Sequence, residues 1–216
     1  MLAAAEPMSG AVAAGSAAFS GGPPPDMDLT LPRLDAVSGL WSPLPQQPSP
    51  HCDARPGDET PSLVVVHHIS LPPGEFGGPW IDALFAGGLD CDAHPYFERL
   101  RGLKVSAHAC VFRDGRAVQY VPTTQRAWHA GESWFDGRSR CNDFSIGIEL
   151  EGDEHGPFTD AQYTTLARLV TAAQRAYPAI TAERIVGHSD IAPGRKIDPG
   201  PHFDWPRLLA LLEFPR

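Results

Sequence analysis

Leu63-Val64-Val65-Val66-His67-His68-Ile69 is a continuous, largely β-branched run between Pro61 and the Pro72-Pro73-Gly74 break. An unbroken apolar run of this length is the pattern of a strand covered on both faces, the kind found inside a sheet that carries helices. It predicts a central strand with His67 and His68 at its end.

The next most informative stretch is Phe144-Ser145-Ile146-Gly147-Ile148-Glu149-Leu150-Glu151. Ile146, Ile148 and Leu150 alternate with Gly147, Glu149 and Glu151, so this strand aims Glu149 at whatever lies opposite its apolar face. Residues 105–112 read as a further strand, Asp114-Gly115 as a tight turn and residues 117–121 as the antiparallel return. Ile185-Val186 is a short strand leading to His188. Thr159 with Gln162 is a capping-box signature, and Tyr163, Leu166, Val170, Ala173 and Tyr177 follow at helical spacing until Pro178. A short helix is expected at 80–85 and a short helix or turn at 96–103. Asp204 and Pro206 open a last helix with Leu208, Leu209 and Leu212 turned inward. These elements predict an α/β (α+β) domain around a mixed sheet.

Gly187-His188-Ser189-Asp190-Ile191-Ala192-Pro193-Gly194-Arg195-Lys196-Ile197-Asp198-Pro199-Gly200-Pro201 is too rich in Gly and Pro for a long helix. It reads as a rigid loop whose polar side chains are placed by turn geometry. His188 and Asp198 meet if the loop doubles back, and both are ligand types that Zn²⁺ takes at about 2.0–2.2 Å. Lys196, two positions before Asp198, is suited to stabilising an oxyanion.

Composition narrows the field. The 216 residues hold 17 basic and 26 acidic side chains, a formal charge of −9, with no basic cluster interleaved with aromatics, so nucleic acid is not expected as a partner. No run reaches the roughly 18–20 apolar residues of a membrane span. Cys52, Cys91, Cys110 and Cys141 never form C-x-x-C, which argues for reduced structural thiols. Residues 1–40, dominated by Ala, Gly, Ser and Pro, read as a disordered extension preceding a folded domain at 41–216, and residues 41–61 as an extended arm on that domain. The first residues lack the basic-then-apolar order of a secretory signal, so a cytoplasmic protein is expected; a monomer is expected as well.

Metal-assisted hydrolysis needs a few ligands and a base that takes a proton from water. His67, His188, Asp198 and Glu149 can supply that set. Each also has a plain structural reading: His67 as a core histidine, Glu149 as the partner of an arginine, Asp198 as the start of a turn before Pro199.

Four segments together carry a resemblance. Ser62-Leu63-Val64-Val65-Val66-His67 with Ile69-Ser70-Leu71-Pro72-Pro73-Gly74-Glu75-Phe76-Gly77-Gly78 comes first. Arg126-Ala127-Trp128-His129-Ala130-Gly131, then Cys141-Asn142-Asp143-Phe144-Ser145-Ile146-Gly147-Ile148-Glu149-Leu150-Glu151-Gly152, and then the 187–201 loop follow. In this order they resemble the N-acetylmuramoyl-L-alanine amidase family, in its branch acting on 1,6-anhydro-N-acetylmuramyl-L-alanine, from about residue 37 to the C-terminus.

The resemblance implies a central mixed β-sheet flanked by helices, the fold of phage-lysozyme-like amidases and peptidoglycan recognition proteins. It implies Zn²⁺ held by His67, His188 and Asp198, with Glu149 as catalytic carboxylate and Lys196 as oxyanion stabiliser. Trp128, Arg140 and Lys104 fall where substrate is contacted, and His129 and His108 fall in orienting or structural roles. The implied reaction is hydrolysis of the amide between the lactyl group of an anhydromuramyl peptide and its L-Ala. Its implied setting is cytoplasmic peptidoglycan recycling, upstream of β-lactamase induction. Three positions depart from the family pattern: His68 stands where Asn is usual, Lys104 where Arg is usual, and Gly194 where an acidic residue is usual. A lysine there offers a point charge instead of a bidentate fork. The competing readings are a periplasmic amidase acting on intact murein and a non-catalytic peptidoglycan-binding module.

Overall fold

The computed structural model describes residues 31–213. Its frame is a five-stranded sheet in the order Ile185–Gly187, Leu63–Ile69, Ser145–Glu151, Ala109–Val111, Ala117–Gln119. The first four strands are parallel and the last is antiparallel, so the fold is the expected mixed α+β arrangement. Leu63–Ile69 lies between two parallel neighbours, which is why it is apolar without alternation.

Alternate residues of the two long strands serve opposite faces. Val64, Val66, Ile146, Ile148 and Leu150 pack against helix Asp160–Ala176 through Tyr163, Leu166, Leu169, Val170 and Ala173. On the other face Leu63 and Val65 meet Ala130, Cys141, Phe144 and Ile191. A third cluster joins helix Trp80–Phe85 and Phe97 of the 3₁₀ turn Pro95–Leu100 to Cys110, Val118 and Tyr120.

The long helix starts on the anticipated capping box. Thr159 Oγ1 accepts the Gln162 N–H and Gln162 Oε1 accepts the Thr159 N–H, both at 3.1 Å. The same Gln162 amide donates to the carbonyls of Val111 at 3.1 Å and Glu151 at 2.9 Å, tying the helix start to two strand ends. The last helix, Trp205–Glu213, begins at Asp204, which accepts the Arg207 N–H at 3.0 Å. Leu208 is buried as expected, whereas Leu209 is 38% exposed, because the 3.6-residue period turns it outward and brings Leu211 and Leu212 against the core.

Two further expectations are corrected. The extension expected over residues 1–40 includes folded chain: Arg33–Asp35 pairs antiparallel with Leu40–Ser42, and Trp41 is buried with its indole N–H on the Leu169 carbonyl. Asp35 makes this hairpin by accepting from Val37 and Ser38, and Gly39 closes it at φ +72°. Residues 1–30 of the expected extension lie outside the described residues. The strand expected at 105–112 narrows to Ala109–Val111, because the His108 ring, not its neighbouring backbone, receives the Gly147 N–H. The Pro-rich arm does lie on the domain, pairing Gln47 and Ser49 N–H with the carbonyls of Gln119 and Tyr120 and so covering the sheet edge. Among the described residues no helix is long and apolar enough to cross a membrane.

In urea denaturation, Thr159→Ala is expected to cost about 1 kcal/mol through loss of the cap. Gln162→Leu is expected to cost roughly 1–3 kcal/mol, because it also strands two buried carbonyls. Equal, negligible losses in both would contradict the bridging role.

Candidate metal centre

The carboxyl ends of adjacent parallel strands form the rim at which open α/β sheets bind ligands. His67 sits near the end of Leu63–Ile69, and Glu149 pairs directly with it across the register. His188 follows Ile185–Gly187 immediately. Asp198 arrives because the loop doubles back: Ser189 N–H donates to the Asp198 carbonyl at 2.9 Å. Gly187 permits that approach, since a Cβ there would stand 2.8 Å from Pro199 Cδ.

His67 Nδ1, His188 Nδ1 and Asp198 Oδ2 lie 2.9 Å from one another. All three side chains are buried. Among the described residues this is the group of potential metal ligands whose donor atoms all lie within 4.8 Å of one another. His188 Nε2 must carry the hydrogen, because it donates to the Ala130 carbonyl at 3.0 Å, so its Nδ1 presents a lone pair. A lone pair, a carboxylate oxygen and a second imidazole nitrogen in mutual contact cannot all be satisfied by the single hydrogen that His67 Nδ1 has to offer. A cation among them satisfies all three, and two imidazoles with one carboxylate form a donor set suited to zinc, leaving a fourth position open.

The triad opens on a cleft of about 420 Å³ lined also by Glu149, Lys196, Trp128, His129 and His68. Glu149 Oε2 is buried and has no hydrogen-bond partner among the described residues. Burial, with Asp198 nearby, pushes its pKa well above the usual carboxylate range, against a smaller opposing effect of Lys196. Burial alone would raise Asp198 as well, but the His188 and His67 imidazoles against its carboxylate outweigh it and hold its pKa far below normal. Trp128 is half-buried, its indole N–H on Asp53 at 3.1 Å. The loop bordering the cleft is held by Glu151, whose carboxylate accepts the N–H groups of Gly77 at 2.6 Å and Arg113 at 3.0 Å.

Of the residues singled out from sequence, His67, His188, Asp198, Glu149, Lys196 and Trp128 come together at this cleft. Lys104 lines a smaller neighbouring depression that shares Leu84, Leu100 and Leu103 with it. Arg140 is absent from the cleft lining and pairs with Asp143 at 3.1 Å. His68, still within the strand, has its side chain 3.9 Å from Glu154 and takes no part in the triad.

Three supporting residues carry little signal in the sequence. Arg195 donates to the carbonyls of Ala130, at 2.6 Å, and Glu132, fixing the carbonyl that orients His188. Arg55, from the Pro-rich arm, donates to the carbonyls of Thr123, Asn142, Asp143 and Ser145, and burial lowers its pKa to about 10. His108 accepts the Gly147 N–H at Nδ1 and donates from Nε2 to the Gln125 carbonyl at 3.1 Å. Of the three, only His108 is marked in the sequence, by the family resemblance.

Burial lowers the pKa of His67 to about 4 and of His108, beside Arg55, to about 3. Both bind a proton in the unfolded chain before they do so in the folded one, so their stabilisation is full above the ordinary histidine value and is lost as pH falls below it. The metal-free protein is expected to lose roughly 2 kcal/mol per such imidazole between about pH 7.5 and pH 5, with the raised Glu149 running in the opposite sense as one group against several. Urea midpoints at the two pH values measure this, and an unchanged or rising stability on acidification would contradict it.

The sequence profile of the N-acetylmuramoyl-L-alanine amidase family matches residues 57–201. The 1,6-anhydro-N-acetylmuramyl-L-alanine amidase AmpD of Salmonella typhimurium (strain SL1344) is 63% identical over 165 residues, 76% of this chain and 88% of that protein. Among solved structures, a selenomethionine AmpD derivative superposes with a TM-score of 0.80 at 60% identity, covering 83% of this chain and 98% of its own. The Escherichia coli amidase AmiD, in complex with its substrate anhydro-N-acetylmuramic acid-L-Ala-D-γ-Glu-L-Lys, gives 0.53 at 32% identity, covering 73% and 59%. With this profile, this identity and the mixed sheet they share, the chain belongs to the N-acetylmuramoyl-L-alanine amidase family.

Proposed function

We propose that the chain is a zinc-dependent amidase that cleaves the amide between the lactyl group of 1,6-anhydro-N-acetylmuramic acid and L-Ala of the stem peptide. We place this reaction in cytoplasmic peptidoglycan recycling, where it consumes the anhydromuropeptides that signal β-lactamase induction. The observation that carries the reading is the meeting of two imidazole nitrogens and a carboxylate oxygen at 2.9 Å beside an unpartnered Glu149. Support for the substrate comes from relatives named for it at more than half identity over most of the chain.

His67, His188 and Asp198 are the proposed zinc ligands. When bound, zinc supplies Lewis acidity, acidifying a water and polarising a carbonyl. Glu149 takes the proton of the attacking water on its unpartnered carboxylate oxygen. Its raised pKa keeps that proton available for return to the departing L-Ala nitrogen, so one group acts as base and then as acid. Lys196, on the exposed side of the same cleft, places its ammonium toward the charge that develops on the lactyl oxygen. The Trp128 face offers an apolar surface to the sugar. Lys104, in the adjoining depression, is the proposed partner for a peptide carboxylate, whereas Arg140, paired with Asp143, lies outside the cleft lining.

Metal content and turnover of an anhydromuramyl tripeptide separate these roles. Glu149→Ala is expected to retain zinc and lose at least about 100-fold in kcat. Asp198→Ala is expected to lose both zinc and turnover, and Lys196→Ala to keep zinc with kcat reduced on the order of 100-fold. Wild-type turnover in Glu149→Ala would remove the proposed mechanism.

A further inference from the structure

The two imidazoles of the triad are steadied by different kinds of partner. His188 rests on a backbone carbonyl, that of Ala130, which any residue would supply. His67 rests on a side chain: its Nε2 lies 2.9 Å from Nδ1 of His129. The far nitrogen of His129, Nε2, lies 3.1 Å from Ser145 Oγ. The His67 and His129 rings meet edge to face, with centroids 5.0 Å apart at 82°.

Counting hydrogens gives this chain a direction. If His129 Nδ1 carries a hydrogen and donates to His67 Nε2, neutral His67 must carry its own hydrogen on Nδ1, and its lone pair then faces away from His188 and Asp198. If His129 Nδ1 is the acceptor, His67 Nε2 holds the hydrogen, Nδ1 is free to bind a cation, and His129 Nε2–H donates to Ser145. Only the second arrangement gives the triad its third lone pair.

The position of the His129 ring is built with some care. Its backbone N–H and that of Ala130 both donate to Asn142 Oδ1, at 3.2 and 2.8 Å. The ring lies flat on Gly147, where a Cβ would stand 2.4 Å from Cγ, 2.5 Å from Nδ1 and 2.6 Å from Cδ2. Nothing larger than glycine fits at 147 while the ring stays. This accounts for the one position in the Ser145–Glu151 strand that has no side chain.

We infer that His129 is a positioning residue of the metal centre: it accepts from His67 Nε2–H, so holding the His67 Nδ1 lone pair toward the metal, and Gly147 is the space that lets it do so. The inference rests on the zinc reading given above and deepens it. His129 itself touches neither metal nor substrate in this role.

The test compares His129→Leu, which fills the space without an acceptor, with His129→Asn, whose amide oxygen can stand where Nδ1 stood. Zinc affinity of the full chain is measured by competition with a chromophoric chelator. His129→Leu and Gly147→Ala are expected to bind zinc about 10–100-fold more weakly, with His129→Asn restoring most of the loss. Zinc binding by His129→Leu within twofold of wild type, or Asn as weak as Leu, overturns the inference. Should the Leu variant not fold, the zinc-loaded wild type decides the matter by ¹⁵N NMR. A through-hydrogen-bond coupling with the proton on His67 Nε2 supports the inference, and a proton on His129 Nδ1 overturns it. A wild type that binds no zinc removes the zinc reading itself, an outcome distinct from tight zinc binding that is indifferent to position 129.

Discussion

The parallel register that sets Glu149 beside His67 is the constraint on which the rest of the structure depends. Side chains alternate along a strand, so a slip of one residue would turn His67 toward the long helix and leave Val66 at the cleft. The register is held from the helix side, where Val64, Val66, Ile146, Ile148 and Leu150 interlock with Leu166 and Val170. The same pairing, extended to Ile185–Gly187, brings His188 to the sheet rim. The apolar core on one face thus sets the positions of the polar groups on the other.

Those polar groups are expensive to bury, and the surrounding chain is arranged to satisfy them. Carbonyls and hydrogen-bonded rings receive nearly every N–H near the triad: Ala130 takes His188 and Arg195, Gln125 takes His108, and Arg55 spreads its donors over four carbonyls. Besides His68 Nε2 and, on the long helix, Thr171 Oγ1, what is left unsatisfied among the described residues lies at the groups with chemistry to perform. Glu149 keeps a buried oxygen without a partner, and the three convergent donor atoms lack enough hydrogens for one another. Unpaired buried polar atoms are costly, and their concentration at one strand rim is the electrostatic signature of a reactive site.

Much of this was legible in the residues. The unbroken run from Leu63 to Ile69 spoke for a strand inside a sheet, the alternation through Glu149 chose its face, and Thr159 with Gln162 marked the helix start. The turn-rich stretch after Gly187 announced a loop able to bring Asp198 back to His188. What was hidden depends on contacts distant in sequence. The hairpin at residues 33–42 was masked by its Ala- and Pro-rich neighbourhood, although Asp35 and Gly39 are ordinary turn residues. The shortness of Ala109–Val111 reflects a side chain standing in for backbone, which no local pattern encodes. Arg55 looks like a surface residue in a Pro-rich arm until its carbonyl partners, about 70 to 90 positions away, are in place.

The most direct test of the account is mass-spectrometric detection of the L-Ala-headed peptide released from an anhydromuramyl tripeptide, as purified, after chelation and after zinc is restored, with intact murein sacculi in parallel. The account predicts cleavage of the soluble anhydro substrate that disappears with chelator and returns with zinc, and none of the sacculi. Undiminished cleavage in the chelated protein, or no cleavage with zinc bound, would contradict it.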